Sequence, residues 1–155
     1  MAAVPTDDGK INGETYDAGN VSALVPNGWK AFPVPDVFAE EPNTINPSAL
    51  RICKGGETEL DIFSKPYVQI NYYGEDTTLV TPSKGFYNNA VDITPITYGE
   101  LIWNGFTADS MGYPVAILWA ENGDIQYQLS FCLGSSGATI SLDDADVQAI
   151  IESVK

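Results

Sequence analysis

Histidine is absent from the 155-residue chain. Its absence excludes Ser–His and Cys–His nucleophile pairs, and zinc, copper or haem held by imidazole. A general base near neutral pH has to be a carboxylate with a raised pKa or a lysine with a lowered one. Basic residues are scarce: 7 Lys and Arg stand against 21 Asp and Glu, a net charge of −14. Nucleic acid and anionic lipid surfaces draw proteins in through Lys and Arg, so nucleic acid is excluded as the main partner. Cations and basic protein patches remain compatible with that charge. Long apolar runs are missing too. No stretch reaches the roughly 18 residues of a membrane-crossing helix, and no basic segment followed by an apolar one opens the chain as a signal peptide would.

There are two cysteines, Cys53 and Cys132. Alternation in Leu50–Cys53 and in Tyr127–Cys132 puts each thiol on the less apolar side of its strand. A disulfide and two free thiols both stay open.

What is present is the composition of a globular domain, with 44% hydrophobic and 11% aromatic residues. Surface scaling lets a chain of this mass bury about 69% of its extended surface, so a core is available without metal or disulfide staples. The length suits one domain. Residues 1–13 (Met1-Ala2-Ala3-Val4-Pro5-Thr6-Asp7-Asp8-Gly9 and onward) read as a flexible polar tether, and 14–155 as a single α+β domain. An opening of this kind suits a mature protein cut after a leader, which makes the expected location extracytoplasmic, with a cytoplasmic one left open.

Periodicity places the elements. Val21–Val25 alternates as a strand and stops at Pro26-Asn27-Gly28; Trp29–Phe32 alternates again and is expected to end at Pro33 and Pro35. Residues 33–47 carry four prolines, Pro33, Pro35, Pro42 and Pro47, and read as a loop. Ala49–Cys53 is a short strand broken by Gly55-Gly56. Tyr67–Tyr73 is a strand with Val68, Ile70 and Tyr72 on one face and Tyr67, Gln69, Asn71 and Tyr73 on the other. Pro82–Ala90 is expected as a short helix capped by Thr81. Ile96–Asp109 reads as a strand bent at Asn104-Gly105. Asn122-Gly123 is the preferred pair for a two-residue hairpin turn, which would set Ala120 opposite Ile125, Leu118 opposite Tyr127, and Trp119 opposite Gln126. The chain closes on an amphipathic helix, with Val147, Ile150, Ile151 and Val154 on one stripe and Ser141 or Asp143 as its cap.

Val21-Ser22-Ala23-Leu24-Val25-Pro26-Asn27-Gly28-Trp29 is similar to the opening strand and turn of PsbP-like proteins. Trp103-Asn104-Gly105-Phe106, the long hairpin and the closing Ile-Ile-Glu-Ser-Val-Lys helix resemble the ending of that family. The resemblance covers roughly residues 14–155 and departs at 33–47. It implies an α/β/α sandwich: a central, mostly antiparallel sheet with a packing C-terminal helix. It also implies function of a limited kind. Members are mostly small non-enzymatic modules, among them extrinsic photosystem subunits, a nuclear GTPase-release factor, and bacterial secreted proteins and lipoproteins of unknown role. The last branch is the nearest in character, and the family has no catalytic set to carry over.

Several constellations invite chemistry. Asp7-Asp8-Gly9-Lys10-Ile11-Asn12-Gly13-Glu14 resembles part of a calcium loop, but Lys10 and Gly19 would occupy ligand positions that require oxygen donors. Asp143, Asp144 and Asp146 could share a cation; helix capping and the helix dipole account for them more simply. Glu40-Glu41 and Glu57, Glu59 and Asp61 supply the paired carboxylates that a hydrolase needs, if held about 5–9 Å apart. Gly134-Ser135-Ser136-Gly137 has the wrong spacing for a nucleophile elbow and no histidine base. Asn20-Val21-Ser22 matches a glycosylation sequon. Tyr67, Gln69, Asn71 and Tyr73 combine aromatic rings with amides and form the candidate binding surface, with the proline-rich loop 33–47 as the other candidate contact. The reading is a non-catalytic binding or accessory module with a protein partner and no cofactor, in which the acidic surface favours a basic patch. A carboxylate-pair hydrolase and a calcium-dependent surface protein are the alternatives.

Overall fold

A computed structural model of the protein describes residues 11–74, 81–135 and 138–155. Strands β1 (Gly13–Asp17) and β2 (Ser22–Pro26) form an antiparallel hairpin. The main sheet is built from β3 (Trp29–Pro35), β4 (Ile45–Lys54), β5 (Tyr67–Tyr73), β6 (Asn88–Asp92), β7 (Ile96–Tyr98), β8 (Leu101–Ser110), β9 (Tyr113–Asn122) and β10 (Ile125–Cys132). Its order is β3-β4-β5-β10-β9-β8-β6, with β7 also on β8, and every pairing is antiparallel. A small ribbon of β11 (Gly134–Ser135) and β12 (Ala138–Thr139) precedes the helix α1 (Ala145–Ser153).

Two rows of apolar side chains cross the sheet on one face. Leu50, Ile70, Leu129 and Leu118 are successive partners in register, as are Ile52, Val68, Phe131 and Ala116, and all are buried. Fully burying each large side chain stabilises the fold by about 1.5–3 kcal/mol. On β8 the first row ends at Gly105, opposite Leu118, and the second at Thr107, opposite Ala116. A Cβ at Gly105 would run into the Ile117 carbonyl oxygen and the Leu118 side chain, so only glycine lets β8 and β9 approach. Val147, Ile150, Ile151 and Val154 of the helix, with Val21 and Ala23 of the hairpin, close the same core. The end of α1 is tied to β2: Ser153 Oγ accepts the Leu24 N–H at 2.7 Å, and Lys155 and Ser22 exchange backbone hydrogen bonds of 2.8 and 3.1 Å.

The expected elements differ from this fold at seven places. The strand expected over Ala49–Cys53 is the ten-residue β4, which begins at Ile45 and includes Pro47 of the expected loop. β3 runs through Pro33 and Pro35 instead of ending there, because it is an edge strand bonded only to β4 and its prolines need no ladder partner on the free side. The helix expected over 82–90 is a three-residue 3₁₀ turn, Lys84–Phe86, followed by β6. Ser83, not Thr81, caps the turn, its Oγ accepting the Gly85 N–H. The stretch from Ile96 to Asp109 is two strands divided at Gly99, where φ is +60°; Asn104-Gly105 lies inside β8. In the β9–β10 hairpin Asn122 pairs with Ile125, so Gly123 and Asp124 are the loop residues. Gly123 has φ +64° while Asp124 stays outside that region, which is a type II′ turn. The register is therefore displaced by two residues: Ala120 faces Tyr127, Leu118 faces Leu129 and Trp119 faces Gln128. A slip of two preserves which face each residue takes, so the core is as expected. The helix cap is Asp144. β1 opens at Gly13, one residue before the expected domain boundary; the first ten residues of the expected tether lie outside the described residues.

Among the described residues α1 is the α-helix, and it covers one face. The opposite face has a small second core in which Phe106, Ala108 and Ile117 pack with Tyr87, Ala90, Val115 and Trp119. Trp119 and Ile117 are apolar residues on this face, and Tyr87 and Ala90 cover them without a helix.

Candidate functional site

Tyr67, Gln69, Asn71 and Tyr73 share the face opposite the helix, as the alternation predicts, and each is half-buried. Their strand is interior, between β4 and β10. Arg51 Nε donates to Gln69 Oε1 at 2.8 Å, and Gln69 Nε2 donates to Asn71 Oδ1 at 3.1 Å. On β10, Gln128 Nε2 donates to Gln126 Oε1 at 2.7 Å, and Gln126 Nε2 reaches Glu121 Oε1 at 3.3 Å. Gln126 is fully buried, so its amide needs these partners. The amides thus form two internally bonded ladders. Burial pushes the Tyr67 and Tyr73 hydroxyls up, so both remain protonated donors at neutral pH.

This face differs in charge from the rest of the chain. Across the six strands from β3 to β8 it presents Lys30, Arg51 and a single carboxylate, Glu121. Asp92, on the edge strand β6, is bonded to Lys84 at 3.0 Å.

Tyr67 brings the candidate strand to a cleft of about 610 Å³ at one end of the face. Val115, Ile117, Ser130 and Cys132 contribute its floor, and Ile62, Phe63, Tyr87, Met111 and Tyr113 its walls. The walls come from three connections: the 3₁₀ turn Glu59–Phe63, the residues before β6, and the β8–β9 turn, where Met111 takes φ +52°. Phe63 is 78% exposed and Met111 91%. The sequence reading passed over these wall residues. The one local sign was Met111-Gly112 between two strands, since three segments distant in sequence have to fold before a cleft exists.

A second exposed apolar feature lies on the β3–β4 loop. Val37 is 80% and Phe38 94% exposed. The loop is fixed from within: Asp36 N–H donates to the Thr44 carbonyl at 2.8 Å, Phe38 N–H to Asp36 Oδ1 at 3.1 Å, and Thr44 Oγ1 to the Glu41 carbonyl at 2.8 Å. Exposed Glu40 and Glu41 flank the two apolar residues.

The other acidic constellations have structural partners. Asp61 Oδ2 accepts the N–H groups of Glu57 at 2.6 Å and Thr58 at 3.0 Å, bonds that hold its carboxyl below the usual range. Asp144 Oδ2 accepts the Ser141 N–H at 2.9 Å. Asp146 Oδ2 accepts the Trp29 indole N–H at 2.9 Å and lies 3.2 Å from Lys54 Nζ, while Oδ1 accepts the Val147 N–H at 2.9 Å. Burial pushes that carboxyl up, but these partners together outweigh it and hold it low. The hydrolase alternative needs the opposite, a carboxyl held high. Among the described residues no three carboxylates or thiols converge as metal ligands; Asp7–Lys10 of the Asp7–Glu14 segment lie outside them. Asn20 Nδ2 donates to Ser48 Oγ at 2.9 Å.

Cys53 and Cys132 are both free thiols on the polar face. Each pairs with Tyr67, one from either side, so two interstrand spacings, roughly 10 Å, separate them. A disulfide requires Cα atoms within about 7 Å. Burial pushes both thiols up.

No protein-family model matches the sequence, and no functionally curated protein matches it. A protein of Bacteroides thetaiotaomicron VPI-5482, solved by crystallography, is similar in shape with a TM-score of 0.49 at 11% identity. The likeness covers 92% of this chain and 48% of that one, so the chain spans about half the length of that protein.

Proposed function

We propose that the protein is a non-catalytic binding or accessory module that acts outside the cytoplasm and engages a protein partner through its β3–β4 loop. The observation that carries this reading is the exposure of Val37 and Phe38 on a loop tied by its own hydrogen bonds. A fixed loop loses little conformational freedom on binding, so an apolar tip held in place is a ready anchor. Glu40 and Glu41 beside the tip give the partner its chemistry: an apolar pocket rimmed by Lys or Arg. The polar face of β5, with two cations against one carboxylate, is a poor match for such a rim, which favours the loop over Tyr67, Gln69, Asn71 and Tyr73 as the primary contact.

The resemblance to PsbP-like proteins supports the same class, since that family consists mostly of small non-enzymatic modules. The α/β/α sandwich of that family would need a helix over the face of Phe106 and Ile117, where Tyr87 and Ala90 pack, so the resemblance is proposed for the sheet and the closing helix alone. The test is photo-crosslinking in the native cells, with a benzoylphenylalanine at position 38 and, as control, at the exposed Ile102. A discrete adduct at 38 that disappears with Glu40→Lys plus Glu41→Lys supports the reading. Equal adducts at both positions, or none at 38, overturn it.

A further inference from the structure

The cleft beside Tyr67 has a different character from the β3–β4 loop. Twelve of the described residues line it and none of these is charged, in a chain with 28 charged side chains, 21 acidic plus 7 basic. The volume of about 610 Å³ falls within the range of small-molecule sites. Five of the lining residues are aromatic: Phe63, Tyr67, Tyr87 and Tyr113, with Phe131, whose side chain belongs to the main core. Polar atoms are present only as neutral groups, the three tyrosine hydroxyls, Ser110, Ser130 and the Cys132 thiol. An ion entering this cleft would lose water without gaining a countercharge. An uncharged ring system would gain apolar burial and aromatic stacking, and its oxygens could take hydroxyl donors.

We infer that this cleft is a binding site for an uncharged, ring-bearing small molecule whose apolar body sits between Phe63, Tyr87 and Met111 over the floor of Ile117 and Ser130. This site is separate from the proposed protein contact, and either can fail without the other. The charge-free lining distinguishes it from a docking groove for an acidic or basic peptide. A second copy of the chain is also disfavoured, because it would bring two molecules of −14 charge together.

The probe is Nile red, an uncharged polycyclic dye, followed by its fluorescence on titration with the intact protein. Saturable binding at one dye per chain is expected. Ser130 is exposed within the cleft, so Ser130→Trp fills the space without crowding the core; it should weaken dye binding by at least about tenfold while the thermal midpoint stays at the wild-type value. The anionic dye 8-anilinonaphthalene-1-sulfonate should bind more weakly than Nile red. Ser130→Glu, which places a charge on the floor, keeps the test open should the tryptophan variant misfold, and the same loss is expected. The inference is overturned by absence of saturable binding, by equal affinity in the folded position-130 variants, or by dye binding that light scattering shows to require a doubled mass.

Discussion

Asp146→Ala should destabilise the protein by about 2 kcal/mol at pH 7, and the loss should vanish in acid. Asp146 joins the first turn of α1 to the start of β3 and the end of β4. The Trp29 indole N–H donates to it at 2.9 Å, and Lys54 Nζ lies 3.2 Å away and 5.8 Å from the Trp29 ring centroid. A hydrogen bond to a charged group contributes about 1.5–3 kcal/mol net, and partial solvent access argues for the lower end, since the Asp146 side chain is 19% exposed. Lys54 is 43% exposed, so solvent screening limits its ion pair to a fraction of about 1 kcal/mol. The helix dipole adds about 0.3–1 kcal/mol, and the better helix propensity of alanine offsets a similar amount. For a chain of this length the total corresponds to a midpoint lower by roughly 4–8 °C.

The pH dependence carries the sign. The carboxyl titrates lower in the folded protein than in the unfolded chain, so its contribution is complete above the unfolded value of about 3.9 and fades as pH falls through the lower folded value. Denaturant unfolding of wild type, Asp146→Ala, Trp29→Phe and the double variant at pH 7 and pH 3 checks both parts. A coupling of about 1 kcal/mol at pH 7 that shrinks at pH 3 is expected. Equal destabilisation by Asp146→Ala at both pH values, or no coupling to Trp29, would refute the reasoning.

Gly105→Ala should lower the urea midpoint sharply, by about 3 kcal/mol or more of stability, because its methyl group meets the Ile117 carbonyl and Leu118 in a packed sheet. Phe38→Ser should leave the thermal midpoint unchanged, given its 94% exposure; a measurable drop would mean that the side chain packs. Ser153→Ala leaves the part-buried Leu24 N–H without its acceptor and should cost about 1–2 kcal/mol in denaturant unfolding. Thiol titration of unreduced protein should find two free cysteines in denaturant, and in the native state the fully buried Cys53 should react more slowly than Cys132.

The sequence reading succeeded where one local rule acted alone. Tyr67–Tyr73 has the observed strand limits because alternation there is unbroken and Pro66 and Gly74 close it. The stripe Val147, Ile150, Ile151 and Val154 identifies the helix and its buried face. It failed where a neighbour decides. Pro82–Ala90 has a helical start, but Val91 and Asp92 pair with Thr107 and Phe106, and Tyr87 gains Phe106 at 5.4 Å between ring centroids, so strand pairing prevails over local propensity. Asn122-Gly123 satisfies one turn type and Gly123-Asp124 another. The choice rests on register with β5 as well as β9, since Leu129 has to meet both Leu118 and Ile70.

The same distinction separates the two kinds of exposed feature on this protein. Three of the carboxylates that attracted attention in the sequence, Asp61, Asp144 and Asp146, have short bonds to backbone or indole N–H groups, so their chemistry is accounted for by the fold. Phe38, within the proline-rich loop, and Phe63 and Met111, which drew no attention, are 94%, 78% and 91% exposed. Removing large side chains of that exposure from the surface would cost the fold little, and leaving them in water gives it nothing. Two of them border a cleft with no charge among its described lining residues, and the third sits on a loop held by its own hydrogen bonds. Stability explains Asp61, Asp144 and Asp146 and does not explain these three apolar groups, so binding is where their contribution has to be sought.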